Sequence, residues 1–136
     1  MYHLSLFLLL KIIFFSTISF SQENNTQEKL VANYVSFIMY HRFGDSRYPS
    51  TNIKKEQFLQ HIDELLKPKY NVISVDKAIQ AINNSKLVKD RSIVITIDDA
   101  YSSVFNYAWP ILKKNKLPFT LFVSTDVIDN KTPGYM

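Results

Sequence analysis

Apolar residues along this chain fall into two patterns that alternate with each other. Continuous apolar runs typical of strands lie at 35–40, 70–73, 92–97 and 119–123. Apolar residues at helical spacing lie between the runs: Phe58, Ile62, Leu65 and Leu66; then Val75, Ala78, Ile79 and Ile82; then Val104, Ala108, Ile111 and Leu112. Strands that alternate with helices predict an α/β fold with a parallel sheet and right-handed crossovers. Such apolar strands suit a sheet covered on both faces or closed into a barrel.

The ends of the helices are marked by residues that stop or cap a helix. Pro68 should terminate the first helix, and the second should open near Ser74. Pro110 should kink the third helix or mark its restart, because proline has no N–H for the intrahelical hydrogen bond. Asn115 is expected to end that helix as a left-handed cap. No helix is expected after the fourth strand.

The N-terminus resembles an export signal. An apolar stretch over 4–15 is followed by Ser19 and Ser21, small residues at the spacing that a signal peptidase uses. We therefore expect a signal peptide at 1–21, a flexible lead-in at 22–33 and one domain at 34–136. An uncleaved membrane anchor and a buried helix are the alternatives. Both a cleaved signal peptide and an uncleaved anchor place the domain outside the cytoplasm, in the periplasm, the cell envelope or the medium.

Charge and composition exclude several classes of protein. A net charge of +4 is small and dispersed, which argues against nucleic-acid binding. The 0 cysteines exclude disulfides, cysteine-ligated zinc and a thiol nucleophile. Neither a Gly-x-Ser-x-Gly motif nor a phosphate-binding glycine loop is present.

Two adjacent acids, Asp98 and Asp99, follow the third strand directly. Ligands of parallel α/β folds bind beyond the carboxyl ends of the strands. Successive residues there point in different directions, so one acid can ligate a metal while the other acts as a base. The alternative is that Asp98 caps the following helix and Asp99 is solvated in its first turn.

The segment around these acids resembles a known motif. Residues 95–101 read Ile-Thr-Ile-Asp-Asp-Ala-Tyr and are similar to the first motif of NodB-type polysaccharide deacetylases, usually Thr-Phe-Asp-Asp-Gly. Flanking segments agree with that family at 39–42 (Met-Tyr-His-Arg), 57–58 (Gln-Phe), 110–114 (Pro-Ile-Leu-Lys-Lys) and 117–123 (Leu-Pro-Phe-Thr-Leu-Phe-Val). The resemblance covers about 35–125 and implies the N-terminal part of a (β/α) barrel.

The resemblance also implies chemistry for the acidic pair. Asp98 would be the catalytic base, and Asp99 would ligate a divalent metal, usually zinc. The metal would lower the pKa of a bound water and polarise the acetyl carbonyl. The substrate would be an N-acetylated polysaccharide, and the products acetate and a free amine. The membrane would be a partner only if the leader stays uncleaved.

The chain departs from the family pattern in three places. Ala100 stands where the family has glycine, and Ile97 where it has phenylalanine. The family completes its metal site with a His-Ser/Thr-x-x-His helix, whereas the histidines here are His3, His41 and His61. Catalytic zinc sites need three protein ligands. We therefore expect the remaining ligands and the rest of the domain to lie beyond residue 136. This chain alone is expected to be inactive.

Other polar and aromatic residues are candidates for the rim of the site. His41 should end a strand on the same side as Asp98, where it lines the pocket or packs with a local hydrogen bond. Tyr101 and Arg42 are possible substrate contacts, with core packing and a solvated loop as alternatives. His61 is expected at the surface of the first helix.

Two other classes of function remain open at this level. One is a non-catalytic, exported carbohydrate-binding or interaction protein that retains the front of the fold. The other is a phospho-receiver domain, against which the leader and the position of the acids on the third strand argue.

Overall fold

The computed structural model describes residues 31–32 and 34–136, so the leader and most of the lead-in lie outside the described residues. Its centre is a parallel sheet of β2 (Ser36–Tyr40), β5 (Asn71–Ile73), β7 (Ser92–Asp98) and β8 (Thr120–Phe122). Strands and helices alternate as the apolar pattern predicts, which confirms the α/β fold class.

Strand β7 is the axis of this sheet. β2 runs beside it from Ser36 opposite Ile93 to Tyr40 opposite Ile97. β5 and β8 share the other edge, β5 beside the first half of β7 and β8 beside the second half. Six consecutive residues of β7 are buried because both edges are paired and both faces are covered.

The main core lies on one face of the sheet, where the first and third helices pack. Its most buried members are Tyr40, Phe43, Phe58, Ile62, Leu65, Ile93, Ile95, Ile97, Val104, Ala108 and Leu112. Val94 and Thr96 are buried on the opposite face, but their neighbours in β2, Phe37 and Met39, are 53% and 60% exposed. On the face that carries Val94 and Thr96, the described structure therefore buries only the middle of the sheet.

Helix α1 (Lys55–Leu65) and helix α2 (Val75–Asn83) begin and end close to the predicted points. The backbone N–H of Lys77 donates to the Ser74 hydroxyl, so Ser74 caps α2 as expected. The predicted apolar faces are partly wrong. Leu66 lies past the last turn of α1 and is exposed, and Ala78 is the buried residue of α2, with Ile79 and Ile82 turned outward.

The third helix is interrupted beside Pro110. A π-helical segment (Val104–Ala108) leads into helix α3 (Trp109–Lys114), and the Trp109 N–H donates to the Val104 carbonyl five residues back. A π turn beside proline fits the predicted irregularity, because the proline offers no N–H to the carbonyl four residues before it.

The end of α3 and the segment after β8 differ from expectation. Asn115 is not left-handed, with φ −89°; its side chain bonds the Ile111 carbonyl, and Lys116 takes the positive φ of 54° instead. A short helix α4 (Thr125–Asp129) follows β8, where the sequence predicted none. A helix this short buries too few residues to produce a helical repeat in the sequence.

Two further short strand pairs lie outside the central sheet. β1 (Val31–Ala32), which falls in the expected lead-in, pairs with β6 (Val88–Lys89) in antiparallel fashion. β3 (Arg42–Phe43) pairs in parallel with β4 (Asn52–Ile53) just after β2, which fixes the loop that follows the first sheet strand. Among the described helices, none has both the length and the apolar character needed to cross a bilayer.

Candidate active site

The acidic pair occupies the carboxyl end of β7. Asp98 is the last strand residue and lies opposite Phe122 of β8. The next two residues, Asp99 and Ala100, both have left-handed backbones, with φ of 68° and 52°. This turn ends the strand directly after Asp98.

Ala100 takes the backbone conformation that glycine adopts without cost. Its side chain is nearly buried, at 2% exposure, and its φ lies in the region that non-glycine residues occupy with strain. Alanine therefore adopts, at an energetic cost, a turn that suits the glycine of the family motif.

The local hydrogen bonds do not support a helix-capping role for the acids. Asp98 still belongs to the strand, and among the described residues no backbone N–H donates to either carboxylate. The Asp98 side chain is 30% exposed at the strand end. It is therefore accessible to a ligand.

His41 lies where the sequence predicts. It follows β2 directly, and Tyr40 pairs with Ile97, so His41 and Asp98 emerge side by side from neighbouring strands. His41 Nε2 is 4.0 Å from Asp98 Oδ2, too long for a hydrogen bond but close enough for one shared ligand or water to contact both. His41 thus lies beside Asp98 at the carboxyl edge of the sheet.

His61 serves a different region. Its Nδ1 is hydrogen-bonded to the Tyr40 hydroxyl at 2.9 Å, and the residue is exposed on α1. The prediction of a surface position is confirmed.

A cleft of about 520 Å³ opens beside the acidic turn. Its walls are Arg42, Asp45, Arg47, Tyr48, Tyr101, Ser102, Ser103 and residues 132–135. The Arg42 guanidinium carbon lies 3.5 Å from the centre of the Tyr101 ring and 4.1 Å from that of Tyr48. The structure therefore brings the two predicted contacts, Arg42 and Tyr101, into one wall.

Tyr101 connects this cleft with the acids. Partial burial raises the pKa of the Tyr101 hydroxyl, and the nearby Tyr135 hydroxyl and Asp99 carboxylate raise it further. A phenol held protonated beside a carboxylate is a hydrogen-bond donor at neutral pH. Tyr101 can therefore orient Asp99 or a bound ligand.

The last residues of the chain contact the acidic turn, which the sequence patterns do not predict. The 132–136 segment returns to the acidic turn, where the Met136 N–H donates to the Ala100 carbonyl and the Ser102 hydroxyl to the Tyr135 carbonyl. The Tyr135 ring lies 4.6 Å from that of Tyr101. Nothing in the local sequence signals this contact, because it joins residues more than thirty positions apart by tertiary folding alone.

The described residues do not by themselves fit a zinc site. Zinc hydrolases hold their metal with three protein ligands. Asp98, Asp99 and His41 provide carboxylates and an imidazole at one end of the sheet, yet no group of three His, Cys, Asp or Glu in the described part of the chain is arranged to hold a metal.

Comparisons with known proteins agree with this fold and motif. Residues 85–135 match the polysaccharide deacetylase family model. The YxkH protein of Bacillus subtilis (strain 168), whose name assigns it to the polysaccharide deacetylases, is 27% identical over 94 residues, 69% of this chain. The chain spans 33% of the length of that relative.

Solved structures show the same likeness. IcaB from Ammonifex degensii is 29% identical, with a TM-score of 0.59 over 69% of this chain and 40% of that one. The fold is also that of a de-N-acetylase from Aggregatibacter actinomycetemcomitans, at a TM-score of 0.62, 24% identity and coverage of 73% of this chain and 40% of the other. Family model, curated relative and fold therefore agree that this chain is similar to polysaccharide deacetylases, in sequence over residues 85–135 and in fold over 69% to 73% of its length.

Proposed function

We propose that the protein removes N-acetyl groups from a polysaccharide by hydrolysing the acetamide C–N bond. The observation that carries the proposal is the position of Asp98, which is accessible at the carboxyl end of the central strand, 4.0 Å from His41. The family match supports a deacetylase, and the cleft beside the acids supports a sugar substrate.

Asp98 is the proposed general base. Its carboxylate takes a proton from the water that attacks the acetamide carbonyl and returns this proton to the sugar nitrogen as the C–N bond breaks, which gives acetate and an amine on the sugar. A base positioned in this way accelerates hydrolysis by roughly 100- to 10,000-fold. His41 borders the same space and can hydrogen-bond the water or the substrate.

Asp99 is the proposed contribution of this chain to a divalent metal, with zinc as the first candidate. Since the described residues offer no group of three ligands, the remaining ligands are proposed to come from outside them. When bound, such a metal supplies Lewis-acid activation of water and carbonyl.

Acetate release from an N-acetylglucosamine tetramer, by the protein as its gene encodes it, tests the proposal. Asp98→Asn should lower turnover by roughly 100-fold or more, because the amide has nearly the same shape but cannot accept the proton. Asp63→Asn is the matched control, since Asp63 is exposed on α1, and it should keep wild-type turnover. Wild-type turnover in Asp98→Asn would disprove the assignment of the base.

A non-catalytic, glycan-binding role is the second candidate. It is favoured by the lack of a three-ligand group among the described residues. In that case the wild-type protein would bind the tetramer and release no acetate.

Export is proposed from the leader at 1–21. N-terminal sequencing of the protein recovered from the producing cells tests it. A mature start at Gln22 supports cleavage and export, and retention of Met1 in the cytosolic fraction contradicts both.

A further inference from the structure

The cleft beside the acidic turn contains a cation that has no acidic partner. Among the described residues, no salt bridge involves Arg42. Its guanidinium instead packs between the rings of Tyr48 and Tyr101, and Nη1 donates to the Thr51 hydroxyl at 2.7 Å. Two rings and one hydrogen bond hold the group in place before any ligand arrives.

The second arginine of the cleft is already neutralised. Arg47 pairs with Asp45 through two hydrogen bonds of 2.8 and 2.9 Å, and this pairing lowers the pKa of the Asp45 carboxyl. Arg42 also helps to lower the pKa of Asp45, though less than Arg47 does, so the two arginines and one carboxylate leave one positive charge in the cleft, and Arg42 is the arginine without a salt bridge. The other polar walls are hydroxyls, including those of Tyr48, Ser102 and Thr132, which suit a sugar.

From this geometry we infer that the cleft binds a carboxylate-bearing sugar, a uronic acid, next to the N-acetylated sugar at Asp98. The inference rests on the proposed function and specifies its substrate. The Arg42 guanidinium carbon lies 4.1 and 3.5 Å from the centres of the Tyr48 and Tyr101 rings, and a planar carboxylate matches a guanidinium edge with two parallel hydrogen bonds.

The two acids beyond Tyr101 set the direction of binding. An anionic sugar is repelled by Asp98 and Asp99 and attracted by Arg42, so it occupies the cleft and leaves the neutral acetamide at the acids. Arg42 is thus a specificity-determining residue: it determines which glycan binds and in which register.

The test compares two tetrasaccharides by isothermal titration calorimetry with the 136-residue chain at low ionic strength. One is a hyaluronan tetrasaccharide, which alternates glucuronate with N-acetylglucosamine, and the other is tetra-N-acetylchitotetraose. We expect the hyaluronan fragment to bind about tenfold more tightly, as a charge-assisted hydrogen-bonded pair provides. Equal affinities in the wild-type chain would overturn the inference.

Variants assign the preference to Arg42. Arg42→Gln should remove the preference for the hyaluronan fragment. Arg42→Lys keeps the charge but loses the paired N–H groups of the guanidinium, and it should reduce the preference to about threefold or less. Arg91→Gln is the matched control, since Arg91 precedes β7 at the opposite end of the strand, and it should keep the full preference. A preference that persists in Arg42→Gln, or one that Arg91→Gln abolishes, would contradict the assignment.

Folding and function are separated by independent readouts. Thermal unfolding shows whether Arg42→Gln is folded; if it is not, Arg42→Lys decides the question. Acetate release depends on Asp98 whatever the cleft prefers, so equal binding of the two glycans would leave the proposed deacetylation standing.

Discussion

Single residues at the end of β7 determine what this site can do. Asp98 remains in the strand, and the left-handed Asp99 and Ala100 turn the chain away from it. The strain is therefore concentrated at the point where the strand ends. The order of acids could be read from the sequence, whereas the positive φ of two successive residues could not.

The left-handed turn predicts that Ala100→Gly costs less stability than glycine substitutions usually do at a buried alanine. Glycine relieves roughly 1–2 kcal/mol of left-handed strain, but it removes a buried methyl group and makes the unfolded chain more flexible. We expect Ala100→Gly to change the free energy of unfolding by less than about 0.5 kcal/mol, measured by urea denaturation.

Ala108 is the control for that substitution, because it is also fully buried but has a right-handed helical backbone. Ala108→Gly should lower the free energy of unfolding by about 1.5–2 kcal/mol, from lost helix propensity and lost packing together. Equal losses at the two positions would show that the turn at Ala100 is unstrained.

Tyr40 predicts an alkaline dependence of stability. Burial raises the pKa of its hydroxyl from 10.0 to about 12. The folded state therefore disfavours the ionised phenol, so the contribution of Tyr40 is complete below pH 10 and is lost as the pH rises towards 12. The full loss is on the order of 2 kcal/mol.

The comparison is Tyr40→Phe against Tyr48→Phe, in unfolding experiments from pH 9 to 12. Tyr48 is 47% exposed, and Tyr40 is 6% exposed in the core. The Tyr40→Phe variant should show a shallower fall in stability than the wild type, and Tyr48→Phe should show the wild-type fall within about 0.5 kcal/mol. Parallel curves for Tyr40→Phe and the wild type would contradict the burial argument.

At the scale of elements, the strands were the most predictable part of the chain. A run of apolar residues long enough to be buried on both faces, as in β7, has few alternatives to a central strand. The helices were less predictable on their surfaces. Ile79 and Ile82 have the spacing of a buried face, but α2 contributes only Ala78 to the buried interior.

A buried hydroxyl joins two of these strands. Ser92 is fully buried, donates to the Lys89 carbonyl at 2.6 Å and accepts from the Asn71 side-chain amide at 2.9 Å. Ser92→Ala leaves both groups without that partner, so we expect a loss of about 1–3 kcal/mol in the free energy of unfolding.

Ser50→Ala is the matched control, because Ser50 lies in an exposed turn. It should change stability by less than about 0.5 kcal/mol in the same denaturation experiment. A neutral Ser92→Ala would mean that water replaces the lost hydroxyl.

At the scale of the whole molecule, the site is assembled from distant parts of the chain. His41 follows the first sheet strand, Asp98 ends the central one, and Tyr135 lies near the end of the described residues. Their approach depends on the parallel order of β2 beside β7 and on the return of the 132–136 segment to the acidic turn.

That assembly predicts weak zinc binding by the 136-residue chain. The described residues contain no group of three ligands, so calorimetry should give a dissociation constant above about 1 µM, far weaker than a complete zinc site. Asp99→Ala should weaken it further. Tight one-to-one binding would show that additional ligands take part, and loss of that binding in His41→Ala would identify His41 as one of them.

The sequence by itself determined the alternation of strands and helices, the central strand and the acids at its end. These features are local: apolar runs, helical repeats and two adjacent carboxylates lie next to one another along the chain. Tertiary structure alone decided that Arg42 packs between Tyr48 and Tyr101, that Tyr135 reaches Tyr101, and that Ile79 and Ile82 face outward. The physical reason is that packing and burial depend on which distant segments meet, and local patterns of polarity do not specify those meetings.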